Sequence, residues 1–358
     1  MIIREARQAD KPAWNSVAQA SAYSSYAHTW EWKEALERGF EVRSLCLVAE
    51  DKGVIVGIYP GYLWPRFSQS GRFVRLKTSL LRSARVLWSP FCQTWDYGGP
   101  CLVDGVSDAR AVFLEHMERL AKWRGVTDIW VSPFRDPALQ EHLRSRGYDT
   151  IPRYTAMIDL AESEDDLWKN LKGETRSQIR QGQRFGLETV ENTTPEGLNE
   201  FYKCLRSVSD RTAMKLPPRL FFEALFEILV RAGMARIYAV RQEGKTLGSA
   251  LFLCYKGTLV ARYWAAFQEA LKLRPYHVLI WHILTEAKRM GYHTCDFGGM
   301  PPDPENGIYK FKKGWGVDIE HVDWFVKPIG LGQPVALAKS VVARFTRGNG
   351  APVSATLL

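Results

Sequence analysis

Two stretches far apart in this chain repeat one another, and such a repeat constrains the fold before any single motif is weighed. Around Ala49 the sequence reads AEDKGVIVGIYPG, and from Val240 it reads VRQEGKTLGSALF. Gly53 aligns with Gly244 and Gly57 with Gly248, each at an offset of 191 (244 − 53 and 248 − 57). In both blocks a strand, a polar turn centred on Gly and an apolar strand predict a hairpin. A second match, AVFLEHMERLAKWRG (111–125) against HVLIWHILTEAKRMG (277–291), runs at an offset of 166 and keeps Val112/Val278, His116/His282, Ala121/Ala287, Lys122/Lys288 and Gly125/Gly291. Both read as helices closed by a Gly and feeding short strands, DIWV (128–131) and TCDF (294–297). The change of offset, 191 − 166 = 25, predicts an extra stretch of about 25 residues in the first half, within 65–95.

A duplicated α/β unit follows. The first copy is expected over 1–155, opening with a strand, Asp10 as N-cap and Pro12 in the first helical turn. The second is expected over 156–330, with an acidic helix start at Ser163. Residues 331–358 read as a short helix, ALAKSVVARFTRG, and a polar tail. A length of 358 residues suits two domains. Hydrophobic residues at 46% and charged residues at 24% exclude wholesale disorder.

No apolar run approaches the roughly 18–20 residues that span a bilayer, and the N-terminus has no signal-peptide core. A soluble, cytoplasmic protein is expected. Six cysteines (46, 92, 101, 204, 254, 295) without a CxxC pair suit buried thiols in a reducing compartment. His282 and Glu286 share a helical face, but two ligands make no metal site, so neither metal nor cofactor is expected. The balance of 48 Lys and Arg against 39 Asp and Glu, +9, favours an acidic partner such as nucleic acid, nucleotide or anionic lipid phosphate.

The order of elements resembles the GNAT acyltransferase fold, and two copies in tandem resemble the FemABX family of peptidyl and aminoacyl transferases. The resemblance is most specific over 159–325. It rests on DLAESEDDLWKNLKGETRSQIRQGQRFGLETV, FYKCLRSVSDR, GSALFLCYKGTLVARYWAA, and CDFGGM followed by YKFKKGWG. The first half, with HTWEW (28–32), looks like the degenerate copy. The resemblance implies two tandem GNAT-like mixed-sheet units, here without a long coiled-coil arm. One departure bears on the donor. CoA-dependent GNAT enzymes hold the pyrophosphate on a Gly-rich turn at the start of the long helix, whereas this chain has LKLRPYHVLIWH (271–282). Pro275 has no N–H to donate, and Tyr276 and His277 crowd a phosphate. CoA is therefore disfavoured, and the aminoacyl-tRNA donor of Fem-type enzymes accords with the +9 charge.

Lys169, Lys172, Arg176, Arg180 and Arg184 are spaced 3, 4, 4 and 4 apart, which on one helix makes a cationic stripe. The stripe is either a phosphate track or a solvated face, and Gly173 and Gly182 weaken the helix. The resemblance implies that Arg211 contacts acceptor phosphates and that Lys33 reaches the same phosphates from the first half. Tyr263, at a strand end, is a candidate acceptor contact, and Tyr276 a candidate cover for the donor end; both equally suit packing. Asp296 either takes a proton or caps the turn into Gly298-Gly299. Lys312 is the catalytic candidate, because the resemblance places the Lys after Phe311 beside the reacting carbonyl, where an ammonium stabilises an oxyanion.

These expectations describe an aminoacyltransferase that carries an aminoacyl group from aminoacyl-tRNA to a primary amine on the stem peptide of a cell-wall precursor. The acceptor would be nucleotide- or lipid-linked, with peripheral contact at the inner membrane face. A CoA- or carrier-dependent N-acyltransferase, and an inactive module binding a nucleotide sugar or RNA, are the alternative readings.

Overall fold

The computed structural model describes residues 1–65, 85–91, 96–103, 105–106, 109–330 and 332. In chain order, the first half carries β1 (Ile2–Glu5), α1 (Lys11–Ala20), α2 (Trp30–Phe40), β2 (Arg43–Ser44) and β3 (Leu47–Asp51). It continues with β4 (Val54–Tyr59), β5 (Tyr62–Pro65), β6 (Arg85–Ser89), β7 (Cys101–Leu102), α3 (Ala109–Trp123), β8 (Val126–Val131), α4 (Pro137–Ser145) and β9 (Asp149–Ile151). Then come β10 (Tyr154–Asp159), α5 (Glu164–Asn170), α6 (Gly173–Arg184), β11 (Glu188–Glu191), α7 (Pro195–Thr212) and α8 (Arg219–Leu225). The second hairpin is β12 (Ala235–Gln242) and β13 (Lys245–Tyr255), followed by β14 (Thr258–Ala266) and α9 (Pro275–Arg289). The chain closes with β15 (Thr294–Gly299), α10 (Gly307–Lys313), β16 (Asp318–His321) and β17 (Trp324–Pro328).

Both predicted hairpins form, and they share an irregularity. The β3–β4 ladder slips between Ala49↔Gly57 and Glu50↔Ile55. The β12–β13 ladder slips between Val240↔Gly248 and Arg241↔Thr246, each residue 191 further on (240 − 49, 248 − 57, 241 − 50, 246 − 55). Their turns match as well: Lys52 and Gly53 have φ of 50° and 81°, Glu243 and Gly244 have 49° and 77°. Two consecutive left-handed residues give the turn whose twist suits a two-residue hairpin, with Gly in the second place. The long helices coincide end to end at 166 (275 − 109 and 289 − 123).

A bulge is a local choice of two strands, so its recurrence at one offset marks a duplicated unit. The fold is therefore mixed α/β with a duplicated unit, as the repeat implied.

The halves are not separable at 155/156. That boundary falls inside β10, which pairs with β15 and β16 in the seven-stranded sheet β11-β12-β13-β14-β15-β10-β16. The last strand, β17, returns to lie between β8 and β9 in the sheet β2-β5-β6-β8-β17-β9. The first half's sheet is thus completed by a strand from the second, and residues 324–328 belong to it. A shared core follows: Tyr26, Trp32 and Leu36 pack with Phe201, Phe221, Phe222 and Leu251.

Further corrections follow from the backbone. The helix expected across 169–184 is two helices, because Leu171 and Lys172 are extended (ψ 143° and 149°). The helix and tail expected over 331–358 lie outside the described residues, apart from Gly332, as do 66–84 and 92–95 of the extra stretch. Five of the cysteines are buried and unpaired; Cys92 is outside the described residues. Among the described residues no helix is long and apolar enough to cross a membrane.

Candidate active site

The two parallel strands of the second half part company. β14 and β15 pair at Thr258↔Thr294, Leu259↔Cys295 and Val260↔Asp296, and at no later residue. Beyond that point the carbonyls of 297–299 need other partners, since a buried unpaired carbonyl is costly. Lys312, on the last turn of α10, supplies them. Its Nζ donates to the carbonyls of Phe297, Gly298 and Gly299 at 2.7, 2.8 and 2.8 Å. The side chain is 5% exposed, and burial brings its pKa down to about 8 against the opposing pull of Asp296. An ammonium has three N–H donors, and all three are engaged. Lys312 therefore presents a fixed charge at the parting of the strands.

Asp296 accepts from Tyr97 Oη at 2.6 Å, Thr155 Oγ1 at 2.7 Å and the Gly298 amide at 2.9 Å. It thus caps the turn into Gly298-Gly299 while joining a first-half tyrosine to β10. Beside it, buried Asp96 accepts from Tyr26 Oη and lies 3.5 Å from Arg262. Burial opposes the Arg262 charge, but Asp96 and its neighbours outweigh it and hold the guanidinium above its ordinary pKa. Burial, reinforced by the adjacent carboxylates, keeps Tyr26 and Tyr97 well above the usual phenol range, so both remain hydrogen-bond donors. The seam therefore takes Tyr26, Asp96 and Tyr97 from one half and Thr155, Arg262, Asp296 and Lys312 from the other.

Asp96, Tyr97 and Thr155 also line a cavity of about 430 Å³, walled by Pro152, Arg153, Tyr154, Gly299, Met300, Pro301, Pro302, Val322 and Trp324. It lies where β10 and β17 begin and β15 ends. Lys312 and Asp296 are legible in the sequence, but Tyr97, Asp96, Thr155 and Arg262 are not. A signal was present: DYGGP (96–100) parallels DFGGMP (296–301) as a second Asp-aromatic-Gly-Gly stretch.

The start of α9 is closed to a phosphate. Pro275 occupies its first turn, and Tyr276 Oη accepts the Ala266 amide of β14 at 3.0 Å. His277 stacks on Trp315 (6.0 Å, 22°) and meets Phe311 edge-on at 5.8 Å, and through Phe311 it joins the ring cluster of Phe297 and Trp264. Burial depresses His277 to about 4. α6 crosses the same end so closely that a Cβ on Gly182 would lie 2.5 Å from Val278 Cγ2 and 3.2 Å from the Leu273 carbonyl. Gly182, a weak point by helix propensity, is what permits this crossing.

The cationic stripe is divided by its surroundings. Lys169 pairs with Asp166 at 3.1 Å. Arg176 donates to the carbonyls of Trp168, Lys169 and Leu171 at 3.3, 2.8 and 2.5 Å, closing the C-terminal end of α5. Lys172, Arg180 and Arg184 remain exposed, Arg180 above the Trp168 ring at 5.2 Å. Arg211, in the last turn of α7, bonds Gln268 and lines an open groove of about 650 Å³ with Tyr202, Lys203, Arg206, Ser207, Asp210 and Arg219. Tyr263 packs edge-on against Phe222 at 5.2 Å beside Arg262. Lys33 joins neither cavity: it is 9% exposed, bonded to Glu37 at 2.8 Å and 4.3 Å above Trp30. Its ammonium is matched within α2, so the structure does not bring it together with Arg211.

Residues 169–313 match the model of the acetyltransferase (GNAT) domain. The Lipid II:glycine glycyltransferase of Staphylococcus aureus (strain USA300) is 21% identical over 271 residues, covering 55% of this chain and 64% of that protein. The crystal structure of FemX superposes with a TM-score of 0.72 at 15% identity, over 94% of this chain and 99% of that one. The chain therefore carries a GNAT domain over 169–313 and shares the fold of FemX. The chain spans less than two thirds of the length of the glycyltransferase. It shares its fold with the C-terminal domain (DUF2156) of a putative lysylphosphatidylglycerol synthetase from Agrobacterium fabrum, with a TM-score of 0.60 and 13% identity over 93% and 96% of the two chains.

Proposed function

We propose that this Fem-type protein is an acyltransferase that carries an aminoacyl group from aminoacyl-tRNA to a primary amine on the stem peptide of a peptidoglycan precursor. Its similarity to a Lipid II:glycine glycyltransferase supports the precursor as acceptor. The observation that carries the choice of donor is the closed start of α9, where Pro275, Tyr276 and the crossing of α6 occupy the place of a pyrophosphate. The reaction is assigned to the parting of β14 and β15 and the adjoining 430 Å³ cavity.

There the amine attacks the ester carbonyl, a C–N bond forms, the ester C–O bond breaks, and the ribose hydroxyl leaves with a proton. Lys312 stabilises the developing oxyanion through its charge, since its N–H groups are held by carbonyls. Asp296 already accepts three hydrogen bonds, so the amine loses its proton to the substrate itself or to solvent. The groove of Arg211, with Lys203 and Arg206, binds phosphates of the acceptor. A transfer assay with charged tRNA and acyl-CoA as rival donors tests the reading. Product from charged tRNA alone is expected. Comparable rates from acyl-CoA, or micromolar CoA affinity by calorimetry, would sink it.

A further inference from the structure

The corner between α7 and α8 combines features that neither the fold nor the transfer chemistry requires. Ala213, at φ 57°, ends α7, and residues 213–215 are exposed. Ser209 Oγ donates to the Met214 carbonyl at 2.7 Å and pins the loop. Met214 is 45% exposed and Leu220 41%, whereas Phe221 and Phe222 beside them are buried. Lys203, Arg206, Arg211, Lys215 and Arg219 lie on the same short stretch. Over 202–223 they face only Asp210 and Glu223, a net +3 (5 − 2), and Glu223 is held by Arg219 at 2.8 Å.

Apolar tips set among cations suit the headgroup layer of an anionic bilayer: the cations meet phosphates while the tips enter the acyl boundary. A single-stranded nucleic acid instead needs open rings on which bases stack. Tyr202, the ring in this groove, is covered by Arg219 at 5.4 Å and flanked by Phe222 at 5.7 Å.

We propose that the α7–α8 corner docks on an anionic lipid bilayer, with Met214 and Leu220 entering its headgroup layer. A lipid-linked phosphate then reaches the groove of Arg211 from the membrane, and only this last step rests on the transferase reading. Co-sedimentation with phosphatidylcholine vesicles, with and without phosphatidylglycerol, tests the docking. The protein is expected to pellet with phosphatidylglycerol-containing vesicles only, and less so at high salt. Joint Met214→Asp and Leu220→Asp substitution should lower partitioning by roughly tenfold or more. Lys215→Ala should lower it by about fivefold.

Circular dichroism and thermal melting check that the variants fold. Protein that stays in the supernatant overturns the proposal, as does a folded double variant that pellets like the parent. Loss of charged-tRNA binding in the double variant with vesicle binding retained also overturns it, assigning the surface to RNA. Transfer to a water-soluble acceptor separates the two readings. Docking without transfer removes the transferase reading and leaves the surface standing; transfer without docking does the reverse.

Discussion

The two halves carry the same hairpin, the same bulge and the same long helix, yet their parallel strands end differently. In the first half β6 and β8 pair along their length, from Arg85↔Val126 to Ser89↔Val131. In the second, β14 and β15 pair at three positions and then separate, with Lys312 closing the exposed carbonyls. The hairpins also diverge. Pro60 stands at the position of Leu251 (60 + 191); β13 runs through Leu251, but Pro60 has no N–H for a ladder. The first hairpin therefore breaks into β3–β4 and β2–β5, which enter different sheets. One duplicated unit keeps its parallel pair closed, and in the other the pair parts and Lys312 fills the gap.

The sharpest way to break this comparison is Lys312→Met. Loss of a charge aimed at an oxyanion should slow single-turnover transfer by about 10²–10³-fold, while Lys313→Met stays near the parent rate. Equal behaviour of the two would move catalysis elsewhere. The pH dependence has a definite sign. Lys312 has a pKa of about 8 in the folded protein against 10.5 in its absence. Between those values the unfolded chain holds more protons, so the parent should gain stability relative to Lys312→Met as pH rises. Over the same rise through about 8 its transfer rate should fall as the ammonium is lost. A rate and a melting temperature that move together would contradict this assignment.

In the closed half, Leu87→Ala should cost about 2–4 kcal/mol of stability by leaving a cavity, with the transfer rate at saturation unchanged. Leu87 is fully buried opposite Ile129. A large fall in rate would mean that the first half does more than support. Gly182→Ala, which drives a methyl into Val278, should cost about 1–3 kcal/mol in chemical denaturation. A silent Gly182→Ala would show that α6 lies loosely on α9. Arg211→Ala should raise the acceptor KM by roughly tenfold at constant kcat, matching the loss of one charge-assisted contact of about 1.5 kcal/mol. Smallest of all, Gly53→Ala and Gly244→Ala should each cost about 1 kcal/mol, because both glycines hold positive φ. Clearly unequal costs would weaken the structural equivalence of the two turns.

Periodicity and turn chemistry made the duplicated unit legible: offsets of 191 and 166 locate the matched hairpins and helices, down to the helix ends. These are short-range properties, set by side-chain alternation and by backbone conformations that few residues adopt. Lys312 and Asp296 were visible because they sit in a compact motif, and their surroundings were not. Tyr97 meets Asp296 across 199 residues and Thr155 meets it across 141. The stripe from Lys169 to Arg184 was legible only in part for the same reason, since spacing says which residues share a helix face but not which carbonyls lie nearby. Arg176 found three of them at the end of α5. The crossing of β17 into the first half's sheet was likewise invisible, because a strand's own sequence specifies a buried face and not which sheet receives it. The sequence by itself determined the elements, their duplication and the charged residues available for a site. Which strands part, which cations are spent on carbonyls and which carboxylates face across the halves were decided by tertiary packing, where burial makes each unmatched polar group too costly to leave.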